Sequence, residues 1–137
     1  MFRVSRQIDF CYGHRLLNYD GKCRYLHGHN GRAIITIESE SLDPRGMVMD
    51  FSDIKQVVSG WIDENLDHAM LLHRSDPVVA YLEQQGEPVF LMDENPTAEN
   101  IAKLIYEFTA GRGFPIVECS LWETPNCFAT YRPSSFG

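Results

Sequence analysis

Hydrophobic periodicity changes twice along this chain, from two residues to about 3.6 and back, and this constrains the fold more than any other feature. In residues 2 to 10, Phe2, Val4, Ile8 and Phe10 share one face, with Arg6 as the exception. In "RAIITIES", residues 32 to 39, Ala33, Ile35 and Ile37 repeat the pattern. Such alternation marks half-buried strands. "LDPRG" at 42 to 46 carries turn chemistry, and "MVMDF" after it reads as extended. The period then becomes helical. Ile54, Val57, Val58, Trp61 and Ile62 form one apolar stripe, predicting a helix over 52 to 65 with Ser52 as its cap. Ile101, Leu104, Ile105 and Phe108 form a second stripe, preceded by Pro96 and a capping Thr97 and ended by "GRGFP". Residues 66 to 95 are less regular, with a short helix near 76 to 85. Two further strands are predicted at 116 to 123 and 127 to 132, joined by a "TPN" turn.

The predicted fold is therefore α+β: a four-stranded antiparallel sheet with two helices on one face, in the order ββααββ. The 137 residues suit a single domain, and 44% hydrophobic residues suffice for a core. A sheet of this kind leaves open edges that self-association would cover. The net charge of −7 argues against a nucleic-acid partner. "MFRVSRQIDF" lacks the apolar run of a signal peptide, and no stretch approaches the roughly 18 apolar residues of a membrane span. A cytoplasmic location without membrane contact is expected. There, Cys11, Cys23, Cys119 and Cys127 would be free thiols.

The segment "CRYLHGH", residues 23 to 29, concentrates chemistry. Residues two apart in an extended chain point the same way, so His27 and His29 can present both imidazoles to one point. If the first two strands pair as a hairpin, His14 joins them. Three nitrogen donors with an open fourth position describe a catalytic zinc. Against this, "HNG" could simply carry a hairpin turn. Cys23 has three readings: a fourth ligand closing a structural site, a thiolate that moves protons, or a small core residue. Arg15, Lys22, Arg24 and Arg32 outnumber Asp20 in residues 15 to 32, a local balance that suits either a small anion or a solvated loop.

Asp67 and His68 are adjacent. A carboxylate can fix a histidine tautomer, but neighbours face each other only in an irregular turn. A helix C-terminus would account for the histidine equally well. Glu123 ends the face formed by Val117, Cys119 and Leu121. A carboxylate there needs a partner with N–H donors, or else the strand has ended and it meets water.

"DFCYGHRL", "CRYLHGHNG", "LDHAML", "NPTAENIA" and "LWETPN" occur in an order that resembles the 6-pyruvoyl-tetrahydropterin synthase family. The likeness spans residue 2 to about 132. It implies the tunnelling fold (T-fold), in which subunit sheets join edge to edge and two trimers stack into a homohexamer with active sites between subunits. It implies Zn²⁺ on His14, His27 and His29, Cys23 as general acid or base, and Asp67 and His68 completing the proton-transfer group. Glu123 would hold a pterin ring. The implied activity is a carbon–oxygen lyase acting on 7,8-dihydroneopterin triphosphate. The product would be 6-carboxy-5,6,7,8-tetrahydropterin, as in the branch serving queuosine biosynthesis, or 6-pyruvoyl-tetrahydropterin. A non-catalytic zinc module with Cys23 as fourth ligand is the alternative of another class. Two segments depart from the family pattern. Cys11 and Tyr12 stand where small residues are usual, and 69 to 94 makes a long link expected to shape the pocket rim or a subunit contact.

Overall fold

The computed structural model describes residues 1–134. Strands β1 (Phe2–His14) and β2 (His27–Ser39) form an antiparallel pair of 13 residues each. Both extend beyond the predicted limits, and in the same direction. Along β1, buried Ile8, Phe10, Tyr12 and His14 alternate with exposed Asp9 and Cys11. The period of two thus runs on through residues whose polarity disguised it. Asn30 and Gly31 lie within β2, where Cys11 pairs with Asn30 and Phe10 with Gly31, so they make no turn.

Helix α1 is continuous in three segments: Phe51–Ile54, a π-helical turn at Lys55–Ser59, and Gly60–Asn65. Its cap is Asp50 rather than Ser52, since the Asp50 carboxylate accepts from the Ser52 N–H at 2.9 Å. The preceding "MVMD" joins no strand. Helix α2 is Val78–Gln84 and helix α3 is Ala98–Gly111. Thr97 caps α3 by accepting from the Asn100 N–H at 3.1 Å, as expected.

The sheet corrects the predicted topology. Among the described residues it has six strands, not four, in the order β4-β3-β1-β2-β5-β6. Strands β3 (Ala69–His73) and β4 (Val89–Met92) come from the segment 66 to 95. They run parallel to each other, and β3 runs parallel to β1, so the sheet is mixed. The element order is ββαβαβαββ. These strands escaped detection because they are short and do not alternate. Leu71 and Leu72 are both fully buried, so "AMLLH" reads as a continuous apolar run, as a parallel strand covered on both faces does. Strands β5 (Ile116–Thr124) and β6 (Cys127–Tyr131) match their predicted places.

One sheet face carries Ile8, Phe10, Ala33, Ile35, Leu71 and Leu121 against Ile54, Val58 and Ile62 of α1 and Ile101 and Ile105 of α3. Trp61 of α1 stacks on Phe108 of α3 with ring centroids 4.4 Å apart, closing the helical layer. None of the described helices is long and apolar enough to cross a membrane. Leu71→Ala should destabilise the protein by about 2–5 kcal/mol, read from the midpoint of a urea transition with its slope unchanged.

Candidate active site

The register of β1 on β2 brings three histidines together. It sets His14 opposite His27 and Tyr12 opposite His29. Directly opposed residues share a face, so all four rings emerge on the face that carries the core. The His14–His27, His14–His29 and His27–His29 ring centroids are 4.6, 5.1 and 5.0 Å apart. One donor atom from each histidine lies within 4.8 Å of the others.

Hydrogen bonds assign the tautomers. His14 Nδ1 is 2.7 Å from the Pro96 carbonyl, and His27 Nδ1 is 2.7 Å from the Tyr25 carbonyl. A carbonyl only accepts, so both Nδ1 atoms carry protons and both Nε2 atoms present lone pairs. Those two Nε2 atoms stand 3.0 Å apart. Two lone pairs so close call for a shared cation. His29 Nε2 is buried with no hydrogen-bond partner among the described residues. These nitrogens fit zinc, which binds imidazole at about 2.0–2.1 Å and relies on such carbonyl contacts to orient its ligands. Burial, opposed by nearby Glu123, holds the His14 and His29 imidazoles below their ordinary pKa, which keeps them neutral and able to ligate.

Glu123 does not end in open solvent. It accepts from the Tyr12 hydroxyl at 3.3 Å. Its two oxygens lie 3.9 Å from His14 Nε2 and 3.8 Å from His29 Nε2. A carboxylate thus stands beside the histidine cluster without being part of it.

Asp67 and His68 meet through the irregular turn that adjacency demands. His68 adopts a left-handed backbone with φ 58°, uncommon outside glycine. Its Nδ1 donates to Asp67 Oδ2 at 2.8 Å. The pair hangs on β1: the Cys11 N–H donates to Asp67 Oδ1 at 2.9 Å, and the His68 N–H donates to the Cys11 carbonyl at 2.6 Å. Burial works against the Asp67 charge, yet bonds from Cys11 and His68 outweigh it and bring the carboxyl below its usual range.

Cys23 is half-buried in a short 3₁₀ turn, Lys22–Arg24, within the loop joining β1 to β2. Its backbone is tied down, since the Leu16 N–H donates to the Cys23 carbonyl at 2.8 Å. Its donor atom is not part of the histidine cluster. The same loop is clamped by Asn95, which accepts from the Leu17 N–H and donates to the Leu17 carbonyl, each at 2.9 Å. The stretch Asn95–Pro96 therefore orients both His14 and the Cys23 loop. The sequence offered "NPT" only as a helix start, because a backbone carbonyl leaves no trace in residue type.

The basic residues near the site are mostly engaged. Arg15 forms a two-pronged pair with buried Asp76, Arg32 pairs with Asp9, and Arg24 lies 4.7 Å over the Tyr25 ring. Lys22 is exposed. Two clefts adjoin the site. One of about 580 Å³ brings Asp67 together with Cys11, Asn30 and Trp122. The other, about 780 Å³, is lined by His27, His29, His68, Tyr81 and Pro88. The 69 to 94 segment therefore contributes both a sheet edge and a cleft wall.

With this geometry in place, comparison with known proteins is decisive about class. The family model described as 6-pyruvoyl tetrahydropterin synthase matches residues 3–134, and the chain belongs to that family. A 6-carboxy-5,6,7,8-tetrahydropterin synthase from Rickettsia bellii is 39% identical over 135 residues, covering 93% of this chain and 98% of the relative. The protein of the same name from Haemophilus influenzae is 32% identical over 140 residues, covering 96% and 99%. Among solved structures, 6-pyruvoyl tetrahydropterin synthase from Caenorhabditis elegans matches with a TM-score of 0.71 at 24% identity, over 97% of this chain and 96% of that one. An uncharacterized protein from Wolinella succinogenes matches with a TM-score of 0.80 at 24% identity, over 97% and 98%. These likenesses show the fold.

His29→Ala should lower bound zinc well below one equivalent per chain, measured by elemental analysis after dialysis, with the far-ultraviolet spectrum retained. The metal-free protein should also become less stable in acid. Folding depresses the pKa of His14 and His29, so the unfolded chain binds more protons below its own histidine value of about 6.5. Stability should therefore hold above that pH and fall as pH drops through the folded values. Thermal melts of chelator-treated protein across pH 5 to 8 would show this.

Proposed function

We propose that this chain is a zinc-dependent 6-carboxy-5,6,7,8-tetrahydropterin synthase, a carbon–oxygen lyase. It would convert 7,8-dihydroneopterin triphosphate and water to 6-carboxy-5,6,7,8-tetrahydropterin, acetaldehyde and triphosphate. The observation that carries this reading is the convergence of three imidazoles, two with tautomers set for ligation, beside a carboxylate held 3.8 to 3.9 Å away. Relatives 32–39% identical over most of the chain bear that enzyme's name.

His14, His27 and His29 would hold the ion through nitrogen. Bound there, zinc supplies Lewis acidity toward oxygens of the substrate side chain. Glu123 would accept N–H donors of the pterin ring and so fix which end of the substrate faces the histidines. His68 donates through Nδ1 to Asp67, which leaves Nε2 as the atom that takes or returns a proton. Cys23 would hold or move the second proton at its sulfur. A structural zinc module leaves Asp67, His68 and Glu123 without a task, and Cys23 lies outside the ligand cluster.

A second copy of the chain is the expected partner. Strands β4 and β6 are the sheet's two edges, and their unpaired backbone groups suit edge-to-edge joining. We propose a homohexamer built as a dimer of trimers, with Asp67 and His68 of one subunit serving Cys23 of another. Mixing the Cys23→Ala and His68→Ala proteins should then restore part of the activity that each lacks alone.

The deciding experiment is anaerobic incubation of the zinc-loaded protein with 7,8-dihydroneopterin triphosphate, with products identified by mass spectrometry. Chelator-sensitive 6-carboxy-tetrahydropterin with acetaldehyde is the expected result. Formation of 6-pyruvoyl-tetrahydropterin instead would keep the site and replace the product. Unchanged substrate would overturn the enzymatic reading. Cys23→Ala should retain zinc and fold while losing at least about 100-fold in kcat, the usual scale of a general acid or base.

A further inference from the structure

Tyr12 stands where the sequence departs from the family pattern, and it packs against two of the three histidines. It is 3% exposed. Its ring meets His14 edge-on at 5.2 Å, lies tilted at 5.7 Å from His29 and stacks on Phe10 at 5.3 Å. Room for the ring comes from the opposing strand. A Cβ at Gly31 would stand 2.7 Å from Tyr12 Cε1, a distance real carbons do not adopt. The hydroxyl is directed at a single acceptor, Glu123 Oε1.

We propose that Tyr12 is a positioning residue for pterin recognition. Its O–H tethers one Glu123 oxygen and leaves the other to the N–H donors of the bound ring. The inference rests on the reading of Glu123 as the pterin anchor. Its chemistry is simple. A carboxylate at the end of a strand has two side-chain torsions free beyond Cβ, and nearby histidine nitrogens offer it an alternative place as a metal ligand. The tether holds it 3.8 and 3.9 Å from those nitrogens. A phenol keeps its proton at neutral pH and so can donate to the carboxylate. A phenylalanine would fill the same space between Phe10, His14 and Gly31 without supplying the tether.

The test uses neopterin, a fluorescent pterin without the triphosphate, titrated into zinc-loaded protein. Four forms are compared: wild type, Tyr12→Phe, Glu123→Gln and the double variant. Loss of a hydrogen bond to a charged group predicts that Tyr12→Phe binds about tenfold more weakly. In the Glu123→Gln background the same change should cost less than about twofold, because coupled residues do not add. With the triphosphate substrate, KM should rise while kcat stays within about threefold. Equal binding by wild type and Tyr12→Phe would overturn the inference. So would an equal loss in both backgrounds, which would mark Tyr12 as packing only. Should Tyr12→Phe lose fold or zinc, the same cycle is run with Gly31→Ala, which displaces the ring but keeps the hydroxyl, and additivity again overturns the inference. A wild type that binds no pterin removes the Glu123 reading and this inference with it. A wild type that binds while the cycle is additive removes the inference alone.

Discussion

The pairing register of β1 on β2 is the constraint on which everything else depends. Because side chains alternate with a period of two, a slip of one residue would send every side chain of β1 to the opposite face. Core burial prevents that slip. Ile8 opposite Ala33 and Arg6 opposite Ile35 set the register at one end, and His14 opposite His27 follows at the other. The histidine cluster is thus the polar end of a hydrophobic face. Fully buried residues of the core hold the register that brings the three histidines together, so the histidines do not have to hold themselves together.

A second layer of contacts tunes what the register brings together. The Pro96 and Tyr25 carbonyls set the proton on the far nitrogen of His14 and His27. Tyr12 receives space from Gly31 and meets Glu123. Asn95 closes the loop that carries Cys23. None of these groups is an expected ligand or proton carrier. Each removes a freedom from one that is, which is how a site on a strand pair reaches the precision that chemistry requires.

The parallel strands β3 and β4 do a different task. By pairing with Tyr12 to His14 of β1, β3 draws the Asp67–His68 turn against Cys11. The dyad is therefore anchored to the same strand as His14. The attachment is through the backbone of Cys11, and one cleft is lined by His27, His29 and His68 together.

Much of this was legible in residue order. The two long strands, both stripe-bearing helices, the last hairpin and the three histidines follow from periodicity and donor chemistry, because burial of one face leaves its signature in every second or every third to fourth residue. The pairing of Asp67 with His68 could be named but not explained, since the φ of 58° at His68 is a backbone property. Tertiary structure alone decided the rest. Strand β3 buries consecutive Leu71 and Leu72 and β4 is only four residues long, so neither shows alternation, and their parallel direction depends on partners distant in the chain. The continuation of β1 and β2 through Tyr12, His14, His27 and His29 was hidden because polar residues stood on the buried face. Sequence names which groups can bind a metal or move a proton. Only packing settles which of their atoms face each other, because that depends on carbonyls, a glycine's missing Cβ and a register set tens of residues away.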